Sequence, residues 1–166
     1  EKVNYLIERY FSSFLDDIHQ NEGDINETAG DGLMIIFQNS DPTTHALQAA
    51  RTALAIRGKT KQINTDLQGQ YEPIQVNIGI NSGIASVGSA KFEGITGTRW
   101  TYTASGMVTN LAARIAEFAT GGSILASEET VRRLSDQVFR EDLGKQQFKN
   151  VRKPLHIFRL IKGKGE

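Results

Sequence analysis

Asn110 and Arg114 stand four residues apart in TYTASGMVTNLAARIAEF, residues 101–118. That spacing puts two side chains one above the other on a helix. A neutral amide beside a permanent guanidinium charge suits a sugar oxygen and a phosphate oxygen held together. Taken alone, such a pair is more commonly an exposed polar stripe on a packed helix. Asp31 lies between glycines in AGDGLM, and two readings stand side by side. It is either a turn residue, since flanking glycines make good hairpin chemistry, or a hard-cation ligand held out at a hairpin tip. Glu27, four residues earlier, reads locally as a solvent-facing acid on a strand. Lys149 belongs to GKQQFKNVRKP, where Lys145, Lys149, Arg152 and Lys153 form the one concentrated basic segment. Such runs are usually solvated loops.

The elements that must position these residues follow from periodicity. Val108, Leu111, Ala112, Ile115 and Phe118 recur at helical spacing, so Asn110 and Arg114 ride on an amphipathic helix closed by Gly121-Gly122. Tyr10, Phe14 and Ile18 belong to a similar stripe that predicts a long helix over 2–19, with His19 in its last turn. Residues 24–29 and 33–38 read as strands around Gly30-Asp31-Gly32. A second long helix runs from about 46 to 64, with Asp41 or Thr43 as its cap and Gly58 loosening its far end. His45 reads as a surface residue. The apolar run IQVNIGINSGIASVG predicts a central strand, interrupted by small residues. Residues 89–98 read as a loop or an extended hairpin tip, and 99–104 as the partner strand. SILA is a short strand, Ser127 caps a helix to about 135, and 137–143 and 155–161 are strands. Mixed strands and helices with hairpins argue an α+β fold, mostly antiparallel.

Composition narrows the classes. At 166 residues the chain is a comfortable length for one domain. Nineteen Lys plus Arg balance nineteen Asp plus Glu, so no overall field argues for nucleic acid or membrane. The absence of cysteine excludes disulfides and thiolate metal sites and fits a cytosolic setting. No apolar run approaches the ~20 residues a membrane span needs, and no signal peptide is visible. Because the first residue is Glu1 and a helical pattern starts at once, the expectation is a piece of a longer protein.

Taken together, LIERYFSSFLDDIHQNEGDINETAGDGLMIIF, VNIGINSGIASVGS, YTASGMVTNLAARIAEFA, SILAS and FREDLGKQQFKNVRKPLHIFRL resemble, in order, the catalytic domain of class III nucleotide cyclases, the adenylate/guanylate cyclases. The resemblance implies a ferredoxin-like nucleotide cyclase fold working as a head-to-tail homodimer with shared sites. It implies that Asp31 binds metal, with two Mg²⁺ or Mn²⁺ ions per site. It implies that Asn110 and Arg114 orient the ribose and stabilise phosphate charge, that Lys149 contacts the triphosphate, and that Glu27 and Thr103 read the purine. Asp31 of one protomer would serve the site completed by Glu27, Asn110, Arg114 and Lys149 of the other. The substrate is then ATP or GTP, cyclised for signalling, with an upstream sensor or regulatory domain. The setting is cytoplasmic, free or as the cytoplasmic part of a membrane-anchored sensor. No nucleic-acid partner is expected.

The sequence departs from the family in places. The opening strand with the first metal aspartate, and the first helix, have no counterpart. Asp16 and Asp17 cannot replace that aspartate, since both lie within a helix. The expected consequence is a hydrophobic gap and unpaired backbone in the sheet. Glu27 favours GTP over ATP, because a carboxylate accepts from guanine N1–H and its 2-amino group, whereas adenine N1 is itself an acceptor. Thr103 decides nothing. Met107 stands where a polar residue often follows the glycine, and residues 89–99 look longer than usual. The alternative to an enzyme is a catalytically inactive domain of the same fold, acting as a regulatory or dimerisation module.

Overall fold

The computed structural model describes residues 2–27, 32–94 and 97–166, with residues 2, 3, 27, 89–94 and 97–105 described by their backbone alone. The order of elements is α1 (Lys2–Gln20), β1 (Gly23–Glu27), β2 (Leu33–Phe37), α2 (Pro42–Asp66), β3 (Ile78–Ile80), β4 (Ser86–Gly94), β5 (Gly97–Ser105), α3 (Met107–Phe118), β6 (Ile124–Ser127), α4 (Glu128–Leu134), β7 (Val138–Gln146) and β8 (Leu155–Gly163). This is the α+β, mostly antiparallel fold that the pattern predicts; among the described strand pairs, β3 with β6 alone is parallel.

The main sheet runs β3-β6-β8-β7, and the two-residue period of its strands divides the core. Ile124 and Ala126 of β6 point one way, into a cluster with Ala46, Ala50 and Ala53 of α2 and Val131 and Leu134 of α4. Leu125, between them, points the other way, into a cluster with Ile115 of α3, Ala119 just after it, Ile157 of β8 and Phe148. One strand therefore holds α2 and α4 on one face and α3 on the other. A third cluster joins α1 (Tyr10, Phe14, Ile18) to the second half of α2 (Ile56, Ile63), with Ile25, Leu33 and Ile35 of the β1–β2 hairpin packed against it.

Caps agree with the sequence where side chains can supply them. Asp41 caps α2, its carboxylate accepting from the Thr44 amide at 2.9 Å and hydroxyl at 2.7 Å. Those bonds, the hydroxyl's first, hold the Asp41 carboxyl below its usual value. Ser127 caps α4, with Glu128 and Glu129 in the first turn.

Several expectations are corrected. The apolar run at 73–87 is not one strand: β3 covers only Ile78–Ile80, and β4 begins at Ser86. Among the described strands β3 pairs with β6 alone, so it is an edge and not central; its apolar side chains are spent on α2, and Gly79 on α3. Of the two readings for residues 89–98, the extended hairpin is the one observed: β4 and β5 pair antiparallel from Ser86↔Ser105 to Gly94↔Gly97. Helix α2 starts earlier and ends later than the expected 46–64, continuing through Gly58 to Asp66. His45 is half-buried, Nδ1 bonded to the Asn39 carbonyl (2.7 Å) and Nε2 to the Arg133 guanidinium (2.6 Å).

The expected gap is visible. β2, LMIIF, is only half-buried along its length, and among the described strands it pairs with β1 alone. Between β2 and β3 lies a cavity of about 230 Å³, walled by Ile35, Phe37, Ile78 and Ile80 and floored by α2 and α3.

Two outcomes follow. A Cβ on Gly79 would lie 2.3 Å from the Ala116 amide nitrogen and 2.5 Å from the Ala112 carbonyl oxygen, both backbone atoms of α3. Gly79→Ala is therefore expected to lower stability by about 1–3 kcal/mol in urea denaturation, the usual range for overpacking. For Asp41 the folded value is lowered, so its contribution is complete above the ordinary value of 3.8 and fades as pH falls through the folded value. The stability difference between the native chain and Asp41→Ala should be level at neutral pH and shrink only in that acid window.

Candidate active site

Helix α3 is fixed before its polar face is considered. Gly106 precedes it at φ 117°, a conformation open to glycine, and supplies no side-chain cap. The Asn110 amide donates to the Gly106 carbonyl at 3.1 Å, closing the first turn. Asn81, just beyond β3, donates from Nδ2 to the Val108 carbonyl at 3.1 Å. Its Oδ1 accepts from the Ser127 hydroxyl at 2.7 Å. One amide therefore ties the ends of β3 and β6 to the start of α3, while Gly79 lets the helix lie directly on β3.

On that helix Ile115 is fully buried, and Met107, Asn110, Arg114 and Glu117 share about 80° of arc, centred about 120° round from it. Asn110 is exposed, and its side-chain amide has no partner among the described residues. Arg114 is 38% exposed, and its Nη1 donates to Glu117 Oε2 at 3.4 Å. The sequence had singled out Asn110 and Arg114 but not Glu117, whose signal was its three-residue offset from the arginine.

Lys149 reaches the same end of the molecule through an aromatic contact. Phe148, next to it, is buried and meets Phe118 edge to face at 5.6 Å between centroids. The Val151 amide donates to the Phe148 carbonyl at 3.2 Å, making a turn whose central residues are Lys149 and Asn150, the latter at φ 64°. Lys149 is exposed, with no ion pair among the described residues. At the near end of β7 the Gly144 amide, and then His156, hold the Asp142 carboxyl below its usual value and pin the strand's bulge.

The remaining candidates are placed only in part. Glu27 ends β1, opposite Leu33, and Thr103 lies in β5, opposite Gly88. β1 and β5 are neighbours, so the strands bearing the two residues adjoin; the side chains are outside the described set. Asp31 lies outside the described residues altogether. As a hard oxygen donor it has the chemistry Mg²⁺ or Mn²⁺ requires. Among the described residues no three His, Asp or Glu side chains gather into a metal cluster.

Over residues 1–162 the sequence matches the adenylate and guanylate cyclase catalytic domain family. The chain belongs to this family. Among solved cyclases, the adenylyl cyclase CyaB from P. aeruginosa is 26% identical with a TM-score of 0.85, covering 99% of this chain and 85% of that one. A guanylyl cyclase crystal structure is 28% identical with a TM-score of 0.76, covering 99% and 83%. An uncharacterized protein of Mycobacterium tuberculosis is 28% identical over 138 residues, 81% of this chain and 22% of that protein. The chain thus spans about a fifth of the length of the curated relatives it matches. The ferredoxin-like cyclase fold expected from the sequence is the fold observed, and no helix among the described residues is long and apolar enough to cross a membrane.

The ring contact gives a test of how this cyclase domain holds its lysine. Phe148→Leu keeps an apolar side chain but loses the edge-to-face pair, worth about 0.5–1.5 kcal/mol. Stability should fall by that order, and backbone relaxation should rise over residues 147–151 while α3 stays unchanged.

Proposed function

We propose that this domain converts a purine nucleoside triphosphate to the 3′,5′-cyclic monophosphate and pyrophosphate. The observation that carries the reading is the pairing of Asn110 with Arg114 on the exposed face of α3, a turn apart. Family membership supplies the reaction class. In that reaction the ribose 3′-oxygen bonds to the α-phosphorus as the bridging bond to the β-phosphate breaks, the hydroxyl proton is lost and pyrophosphate leaves.

Asn110 would hold the ribose so that its 3′-oxygen faces phosphorus. Arg114 would place fixed charge where negative charge grows on the α-phosphoryl oxygens, the placement that lowers a barrier most. Lys149 would hold the triphosphate as a point charge. Mg²⁺ or Mn²⁺, two ions per site on the family pattern and held in part by Asp31, would supply Lewis acidity and a lowered nucleophile pKa. Glu27 and Thr103 would read the base, and the carboxylate of Glu27 favours GTP over ATP. The neighbours include both an adenylyl and a guanylyl cyclase, so the base preference rests on Glu27 alone.

The domain would act as a head-to-tail homodimer, Asp31 of one protomer serving the site that Glu27, Asn110, Arg114 and Lys149 complete on the other. Exposed apolar side chains support a partner surface here: Ile84 is 97% exposed and Met107, at the start of α3, 65%. The place of the domain at the output end of a larger cytoplasmic signalling protein is part of the same proposal.

The experiment incubates the protein with its natural termini with Mn²⁺ and either ATP or GTP, and separates the cyclic products. Cyclic GMP should predominate, Glu27→Lys should move the preference toward ATP, and Arg114→Ala should lower kcat by about 10²–10³ with the dimer intact. A natural-length dimer that makes no cyclic nucleotide overturns the enzyme reading in favour of a regulatory module.

A further inference from the structure

The residue facing Arg114 is an acid that the reaction does not call for. Glu117 lies three residues on, so it shares the exposed stripe of α3 with Asn110 and Arg114. Its carboxylate takes the Arg114 guanidinium at 3.4 Å, and it is itself 68% exposed. The contact draws Arg114 toward the C-terminal end of the helix, away from Asn110, whose amide has no partner among the described residues. An arginine meant for phosphate is thus already holding an anion.

We propose that Glu117 is a positioning residue that parks Arg114 along the helix and is exchanged for phosphate when substrate binds. The proposal rests on reading Arg114 as the phosphate-facing group. The exchange leaves a displaced carboxylate beside an incoming polyanion, so Glu117 opposes triphosphate binding in two ways, by occupying the arginine and by repelling the ligand. The pair is solvent-exposed and one turn apart, and pairs of that kind are weak. The brake is therefore a matter of about two-fold in affinity, not of orders of magnitude.

Because the pair is local to one helix, the brake needs no movement of the fold. Arg114 can leave Glu117 by side-chain rotation alone, on the fast timescale of exposed side chains. The ionic strength of the medium should also matter, since salt screens an exposed pair.

The test is calorimetric binding of a non-hydrolysable GTP analogue and of inorganic triphosphate to the natural-length protein, with the steady-state KM for GTP measured alongside. Glu117→Gln, of the same size and helical preference, should tighten both ligands and lower KM about two-fold while kcat changes less. Glu117→Asp should retain the native affinity more nearly than Gln does. The same Gln substitution placed on Arg114→Ala should have a smaller effect, because the arginine it releases is gone. An equal effect with and without Arg114 overturns the parking role and leaves repulsion alone. Unchanged binding in Glu117→Gln overturns the proposal outright. If the protein makes no cyclic nucleotide yet Glu117→Gln tightens the analogue through Arg114, the proposal stands and the cyclase reading falls. If neither ligand binds the native chain, both fall.

Discussion

Everything polar on α3 depends on a contact with no side chain in it. Gly79 leaves the middle of β3 bare, and the backbone of α3 at Ala112 and Ala116 occupies the space a Cβ would need. Close approach of helix to strand fixes the helix axis, and with it the height of Asn110 and Arg114 above the sheet. Residues 112 and 116 are both alanine, so no long side chain stands at the contact. Asn81 then sets the end of the helix by bonding the Val108 carbonyl, and Ser127 holds Asn81. The polar stripe is positioned by the contacts of the face beneath it.

The division of the sheet's two faces explains why the basic turn joins this helix and no other. Leu125 and Ile157 turn toward α3 while Ile124, Ala126 and Leu160 turn toward α2 and α4. Phe148, in the connection between β7 and β8, buries its ring on the α3 side, beside Phe118 and Ile115. An apolar requirement thereby carries Lys149, the neighbouring cation, toward the end of the helix that bears Arg114. The turn could be rich in lysine for solubility alone; the buried phenylalanine gives one of those lysines an address.

How much of this was legible in the sequence varied with range. Helices α1, α2 and α3 were legible because their apolar stripes repeat within the helix itself, and Ser127 and the acids after it announced α4. The Asn110 and Arg114 pair was legible for the same reason, since four residues is a local distance. The split of the run at 73–87 was not, because two alternating strands in succession carry the same two-residue signal as one. Glycine-rich residues 89–98 suggested either a loop or an extended hairpin tip, and composition could not choose between them; β4 and β5 pair along their length. His45 was missed because its partners, Asn39 and Arg133, become neighbours only through folding.

The residues proposed to read the base and to hold phosphate belong to different parts of the chain, and helix α2 is the beam between them. Its first half gives Ala46, Ala50 and Ala53 to the core with β6 and α4. Its second half gives Ile56 and Ile63 to the core with α1, on which the β1–β2 hairpin leans. Between β2 and β3, where a continuous sheet would have done that work, there is a cavity and no described pairing. The relative setting of Glu27 and Arg114 is therefore carried by side-chain packing along one 25-residue helix, helped by β5, which lies against β1 before running into α3. Packing along a helix yields more readily than a hydrogen-bonded ladder of strands. A strand seated between β2 and β3 would convert the first kind of linkage into the second, and the two halves of the site would then be held by backbone as well as by side chains.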